Sequence, residues 1–257
     1  MRFKVYLEYD GTQYSGWQIN PSQKTIQGEL LKAAQTVFHT DTIEIYGAGR
    51  TDAGVHAMNQ VAHLDVKTTL IPEHIRQKLN EELPTDINIL KVESTTPTFH
   101  ARHDATARSY TYHLTKRRTA FGKRYAWWVK EKLDIKAMQA AAQLLVGFHD
   151  FQSFSDNTPE EKSTMVEIKL LQIVEKGSLI TIHIVGSHFL WKMVRRIVGV
   201  LVEIGKGKMK AATLKDYLKS NSREPALYTA PAHALFLEKI YYENEKITPN
   251  YQTFFGI

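Results

Sequence analysis

The sequence predicts an α+β fold of two ferredoxin-like halves, residues 1–100 and 101–257, with mostly antiparallel sheets packed side by side around a central basic cleft. Three observations predict it. The hydrophobic period switches between two and 3.6 in the order β-α-β-β-α-β, and that order returns in the second half without any repeat of residues. A stretch rich in turn formers and Thr, residues 94–105, separates the two runs. Cations cluster with aromatic residues, as expected where a groove between two sheets meets an anionic polymer.

Taken in order, residues 2–9 alternate in polarity like a strand, and residues 25–38 carry Ile26, Leu30, Ala33, Ala34 and Val37 at helical spacing. A short strand follows at 42–46, then a Gly-rich stretch at 47–54 and a strand at 59–66. Pro72 opens a second helix that closes before Pro84, and a strand at 86–93 completes the first half. The second half reads as a strand over 106–115, a helix over 134–146, strands at 165–175 and 179–185, and a helix over 188–204. A short helix at 210–219 is inserted before the last strand, 234–242.

Composition narrows the chemistry. With no cysteine in 257 residues, disulfides, thiolate metal sites and cysteine nucleophiles are excluded. Thirty-three Lys and Arg against 27 Asp and Glu give a formal charge of +6, which favours an anionic partner. Arg102, His103, Arg108, Lys116, Arg117, Arg118, Lys123 and Arg124 form one basic group. Lys192, Arg195, Arg196, Lys206, Lys208 and Lys210 form another, and Tyr110, Tyr112, Tyr125, Trp127, Trp128 and Trp191 lie among them. No apolar run reaches the ~18 residues of a membrane span, and the first residues lack the apolar core of a secretory signal, so a cytoplasmic location is expected. Histidine spacing suits no metal: His56 and His63 stand seven apart, His100 and His103 lack a carboxylate at ligand spacing, and no H-E-x-x-H occurs. No G-x-S-x-G nucleophile motif occurs either.

The sharpest local feature is the loop Tyr46-Gly47-Ala48-Gly49-Arg50-Thr51-Asp52-Ala53-Gly54-Val55-His56-Ala57. Its glycines permit tight turns and close approach to a ligand. A dinucleotide fingerprint would need Gly at Asp52, and a Walker loop would need Lys at Val55. Thr51-Asp52 between small residues is also compatible with a structural Asx turn, but Arg50 beside it and a basic, aromatic strand downstream point to chemistry. On that strand Arg108, Tyr110 and Tyr112 share a face. On the helix at 188–204, apolar residues 190, 193, 194, 197, 198 and 201 form a stripe with Arg195 beside it. A half-buried Arg needs an anionic partner, and an Asp on a loop of the other half would supply one.

Together Tyr9-Asp10-Gly11-Thr12-Gln13-Tyr14-Ser15-Gly16-Trp17-Gln18, Gly49-Arg50-Thr51-Asp52-Ala53-Gly54-Val55-His56-Ala57, Phe99-His100-Ala101-Arg102, Arg108-Ser109-Tyr110, Gly147-Phe148-His149-Asp150-Phe151-Gln152-Ser153-Phe154 and Met193-Val194-Arg195-Arg196-Ile197-Val198-Gly199 resemble, in order, the motifs of the tRNA pseudouridine synthase A family. The resemblance covers essentially the whole chain, and the G-R-T-D-A-G-V-H stretch is its most specific part. It implies the pseudouridine synthase fold and a homodimeric, cofactor-free isomerase that converts uridine to pseudouridine at positions 38 to 40 of the tRNA anticodon stem-loop. It further implies Asp52 as catalytic aspartate, Tyr110 as the aromatic contacting the target base, Arg195 as the basic partner of the aspartate, and Arg50 as the arginine that holds the flipped conformation. Thr51 and Arg108 join these as substrate-binding residues. The sequence departs from the pattern at Ala234, where the family usually has Gly, and at Ser163–Ile168, which lacks an Arg often found in that strand.

Two other readings fit parts of the chain. A pair of RNA-recognition modules without catalysis explains charge, aromatics and topology, but leaves an Asp in a basic loop where it would repel phosphate. A glycosidase would want a second acid near Asp52, and the loop has none.

Overall fold

The computed structural model describes residues 1–156 and 163–247, which form two compact units. The first contains Met1–Thr106 and Phe236–Glu245, and the second is built on Ala107–Leu235. Both are α+β with mostly antiparallel strands.

In the first unit, β1 (Arg2–Tyr9) buries Phe3, Val5, Leu7 and Tyr9 on one face, the period-two pattern of a half-covered strand. α1 (Ile26–Phe38) starts where the Thr25 hydroxyl accepts the Gly28 N–H at 3.2 Å, and it stops at His39, whose left-handed φ of 51° ends the ladder. β2 (Glu44–Gly47) leads through the Gly-rich loop to β3 (His56–Asp65). α2 (Pro72–Glu82) has Pro at its first position and ends before Pro84, and β4 (Ile87–Ser94) follows. Asn80 of α2 closes both hydrogen bonds with the Ile89 backbone, at 2.7 and 3.0 Å, which ties the helix to β4. The strand order is β4-β1-β3, antiparallel throughout, and β2 pairs with β3 from Glu44↔Asp65 to Gly47↔Ala62.

The second unit contains β5 (Ala107–Thr115), β6 (Trp127–Trp128), α3 (Ile135–Gln143), β7 (Gly147–Asp150), β8 (Met165–Lys176), β9 (Leu179–Gly186), α4 (Met193–Gly205) and α5 (Ala212–Lys219). Its strands run β5-β9-β8-β7, all antiparallel, and β6 adds a short parallel pairing to β5. The Asp134 carboxylate caps α3 by accepting the Ala137 N–H at 3.0 Å. Gln139 and Gln143 reach from α3 to the Ile173 and Leu171 carbonyls of β8. α4 is buried on nearly every side, and a Cβ at Gly205 would stand 2.6 Å from the Met138 sulfur, so α3 and α4 pack at a distance that glycine permits.

The last strand, β10 (Leu235–Tyr241), pairs parallel with β3 at Phe236↔His56 and Leu237↔Ala57, and from Phe236 onward it counts with the first unit. The sequence reading placed it in the half from residue 101. Chain order carries no trace of this pairing, because it is formed by residues about 180 positions apart. The turn-rich stretch read as a linker is likewise held by the first unit. The Ala101 N–H donates to His63 Nδ1 at 3.1 Å, and the Ala101 carbonyl accepts from the Tyr242 hydroxyl at 2.8 Å.

The helix expected from residue 188 begins only at Met193. Lys192 adopts a left-handed φ of 61°, and residues 188–192 form a loop that still buries Leu190. Burial of Leu190 continues the apolar stripe without continuing the helix, so periodicity overran the true start. The Ala234 departure is structurally quiet: Ala234 is buried and its φ is not positive, so no glycine is needed there.

A Cβ at Gly199 of α4 would fall 1.5 Å from the Tyr228 carbonyl oxygen, so backbone must move to admit it. Gly199→Ala is expected to destabilise the protein by about 1–3 kcal/mol or more, the usual cost of overpacking, read as a lowered Tm in thermal unfolding. An unchanged Tm would show that this contact is not tight in solution.

Candidate active site

Asp52 sits in the loop between β2 and β3, and the loop's shape is set almost entirely by backbone contacts. At its start the Ala48 N–H donates to the Val61 carbonyl at 2.7 Å, and the buried Gln60 amide donates to the Gly49 carbonyl at 2.9 Å. At the turn the Val55 N–H returns to the Asp52 carbonyl at 3.1 Å, and Gly54 takes a φ of 76° that other residues rarely adopt. Thr51 is buried, its hydroxyl 2.9 Å from the Tyr9 hydroxyl at the end of β1.

A second segment, Gly11–Trp17, forms the bed on which this loop lies. The Trp17 N–H donates to the Thr51 carbonyl at 3.1 Å, and the Gly54 N–H donates to the Tyr14 carbonyl at 3.2 Å. A Cβ at Gly11 would meet the Val55 carbonyl oxygen at 2.0 Å. One at Gly16 would meet the Thr51 carbonyl oxygen at 2.5 Å, and one at Gly47 would enter the Trp17 ring at 2.4 Å. The Gly11 N–H also donates to the buried His56 Nδ1 at 3.0 Å, fixing the far end of the loop. Asp52 is thereby presented half-buried, between a buried Thr51 and an exposed Ala53. Arg50, two residues earlier, is exposed.

The other expected residues lie in the second unit. Arg108 and Tyr110 are on β5, where they face Gly186 and Ile184 of β9. The Arg108 guanidinium donates to the Ser187 carbonyl at 2.9 Å, and the Tyr110 ring stands edge-on to Phe189 with centroids 5.3 Å apart. Tyr110 is 8% exposed, and Tyr112, two residues on, is fully inside. The Tyr112 hydroxyl donates to the Pro231 carbonyl at 2.9 Å, and burial pushes its phenol well above its ordinary range, opposed by the nearby Arg195 charge.

Arg195 is half-buried on the first turn of α4. Its Nε donates to the Ala230 carbonyl at 2.8 Å, while the Ala230 N–H donates back to the Arg195 carbonyl at 3.1 Å. Arg196 is the more deeply buried of the two and pairs with Asp156, which also accepts from the Lys192 ammonium at 3.2 Å. Arg196, then Lys192, hold the Asp156 carboxyl below the usual carboxylate range. The sequence reading favoured Arg195 as the arginine in need of an anion, with Arg196 as the alternative inward residue. The buried Arg196 has the same need, which Asp156 meets.

Asp52, Thr51 and Arg50 therefore share one loop of the first unit, whereas in the second unit Arg108 and Tyr110 share β5 and Arg195 lies on α4. Sequence reasoning missed the structural duty of Gly11, Gly16, Gln60 and the 230–231 carbonyls. A buried Gln in a strand of apolar neighbours was the available signal for Gln60, whereas backbone carbonyls leave none.

These arrangements can be set beside known proteins. The model of the tRNA pseudouridine synthase family matches residues 6–104 and 141–243. The chain belongs to that family. It is 43% identical over 245 residues to tRNA pseudouridine synthase A of Fervidobacterium nodosum, covering 93% of this chain and 98% of that one. To the protein of the same name from Brachyspira hyodysenteriae it is 41% identical over 246 residues, covering 94% and 98%. As a tRNA pseudouridine synthase it is an isomerase that converts uridine to pseudouridine in tRNA. Among the described residues no helix is long and apolar enough to cross a membrane.

On β3 of this synthase, His63 is buried under Tyr46, whose exposed ring stacks on it with centroids 5.2 Å apart. Burial, and then the Arg2 guanidinium, push the His63 imidazole down to about 4, in keeping with its role as acceptor for the Ala101 N–H. The folded value lies below the ordinary 6.5, so the unfolded chain takes up the proton first. Stability from this group is complete above about pH 6.5 and is lost as pH falls toward 4. His63→Gln is expected to flatten the fall of Tm across that window. An NMR titration of His63 with a midpoint near 6.5 would contradict this account.

Proposed function

We propose that this synthase acts on uridines 38 to 40 of the tRNA anticodon stem-loop, with Asp52 as the catalytic carboxylate. The reaction breaks the C–N glycosidic bond, turns the detached base and joins it again through carbon, and the proton at that carbon is replaced by one on the freed nitrogen. No atom is gained or lost. Such a sequence asks for one carboxylate at a fixed point, a surface for the base, and cations that hold RNA out of its stack.

The observation that carries the assignment is the clamping of Asp52. Gly16, Trp17, Tyr9 and Gln60 fix the backbone on both sides of a half-buried acid in a polar loop. A loop that served only as a turn would have no need for so many independent restraints. In this reading Tyr110 supplies the base contact, Arg195 acts as the basic partner of the aspartate, and Arg50 is the exposed cation that holds the flipped nucleotide. Thr51 and Arg108 complete the substrate-binding set, Thr51 held by the Tyr9 hydroxyl and Arg108 by the Ser187 carbonyl. The enzyme acts as a homodimer in the cytoplasm, without cofactor or metal.

Asp52→Asn is expected to abolish pseudouridine formation, assayed by chemical derivatisation of treated tRNA, with affinity for tRNA changed only a few-fold because phosphate contacts dominate it. A substantial residual rate would remove Asp52 from the mechanism. Tyr110→Phe should retain most activity and Tyr110→Leu lose most of it, stacking being worth about 1–3 kcal/mol. Equal rates for wild type and the Leu variant would make Tyr110 a packing residue. Arg195→Met should lose turnover at nearly constant tRNA affinity. Weaker binding with a salt dependence flattened by about one phosphate contact would mark it instead as an RNA backbone contact.

A further inference from the structure

Between β5 and β6 the chain makes an excursion, residues 116–126, whose two ends are pinned side by side. Leu114 and Thr115 pair with Trp127 and Trp128, and the Val129 N–H donates to the Thr115 carbonyl at 3.1 Å. At its tip Phe121 is 90% exposed, the most exposed large apolar side chain among the described residues. The tip closes on its own hydrogen bonds. Thr119 Oγ1 donates to the Phe121 carbonyl at 3.0 Å and lies 3.2 Å from the Phe121 N–H, and the Tyr125 N–H donates to the carbonyl of Gly122, which takes a left-handed φ of 69°.

Flanking Phe121 in the chain are Arg117, Arg118, Lys123 and Arg124, all exposed. The neighbouring cations have acids: Lys116 pairs with Glu175, Lys206 with Glu203 at 2.9 Å, and Lys208 with Glu131 at 3.4 Å. Among the described residues no carboxylate lies within ion-pair distance of the four. Trp128, 41% exposed, adds a second aromatic at the base of the excursion. A solvated loop needs no aromatic at its tip, and an acidic protein surface would satisfy the charges but offers nothing in particular to a lone exposed ring. Phosphates for the cations and an unpaired base for the ring satisfy both, the combination by which proteins hold single-stranded nucleic acid.

We propose that residues 116–126 form a second docking surface for the substrate RNA, with Arg117, Arg118, Lys123 and Arg124 on its phosphates and Phe121 stacked on an unpaired base. The proposal rests on the reading of tRNA as substrate and adds a contact remote from the target nucleotide. Thr115, where the excursion leaves β5, lies five residues beyond Tyr110, roughly 17 Å at about 3.3 Å per residue. The surface therefore acts on binding and orientation of the RNA, not on the bond changes.

The test uses the full chain and a tRNA transcript, with binding measured across a salt series and KM measured in parallel. Arg118→Ala should lower the slope of log affinity against log salt by about 0.7–0.9, and replacing all four cations by Ala should lower it by about three. Lys32→Ala, which removes a charge from the exposed face of α1, should leave the slope alone. Phe121→Ala should weaken binding about ten-fold with the slope retained, and Phe121→Trp should restore it. Wild-type slopes and affinities in the loop variants would overturn the proposal. So would a change of sedimentation mass on Phe121→Ala with RNA affinity intact, which would make the ring a contact between copies of the chain. The two readings fail separately: loop-dependent RNA binding without pseudouridine formation sinks the proposed function, and pseudouridine formation with loop-independent binding sinks only this inference.

Discussion

The close approach of the Gly11–Trp17 segment to the loop that carries Asp52 is the constraint on which the rest of the site depends. Two glycines lie against carbonyl oxygens at distances that leave no room for a side chain, Gly11 against Val55 and Gly16 against Thr51. The loop cannot shift along this bed without losing the Trp17–Thr51 and Gly54–Tyr14 hydrogen bonds. A carboxylate held in this way has its entropy of positioning spent at folding rather than when RNA binds, which is where preorganisation gains its effect. The cost is that loop, bed and the Tyr9 end of β1 must form together, so a change at any one of them is felt at Asp52.

The second unit follows a similar rule with different parts. Three residues converge on one short stretch of backbone: Tyr112 on the Pro231 carbonyl, Arg195 on the Ala230 carbonyl, and Gly199 against Tyr228. A buried guanidinium needs an acceptor for each of its donors, and a backbone carbonyl meets part of that need without neutralising the charge. Arg195 spends one of its donors on this stretch, on the first turn of a helix otherwise packed in apolar residues. Arg196 pairs with the Asp156 carboxylate, and the pair anchors the start of α4 beside the left-handed Lys192.

Within each element the sequence was a good guide, because burial on one face leaves a periodic trace. β1, α1, α2, β4 and β5 were legible to within a few residues from alternation, a Thr cap and prolines at helix boundaries. The start of α4 was not, since Leu190 is buried from a loop and imitates the helical stripe. β7 was missed because Gly147–Asp150 has almost no buried face, its burial being intermediate or exposed throughout. The pairing of β10 with β3 was beyond reach for a different reason: a parallel contact between residues so far apart in the chain has no local signature.

What the sequence determined by itself was the chemistry available: no thiol, a surplus of cations, one acid in a glycine-rich loop, and a set of motifs specific enough to place the chain in its family. What only the tertiary structure decided was how each of those groups is held. Which arginine is the deeper, which glycines admit a carbonyl, and whether Phe121 projects or packs are set by contacts between segments far apart in the chain. Such contacts act through distance and burial in space, and neither quantity is written in the spacing of residues.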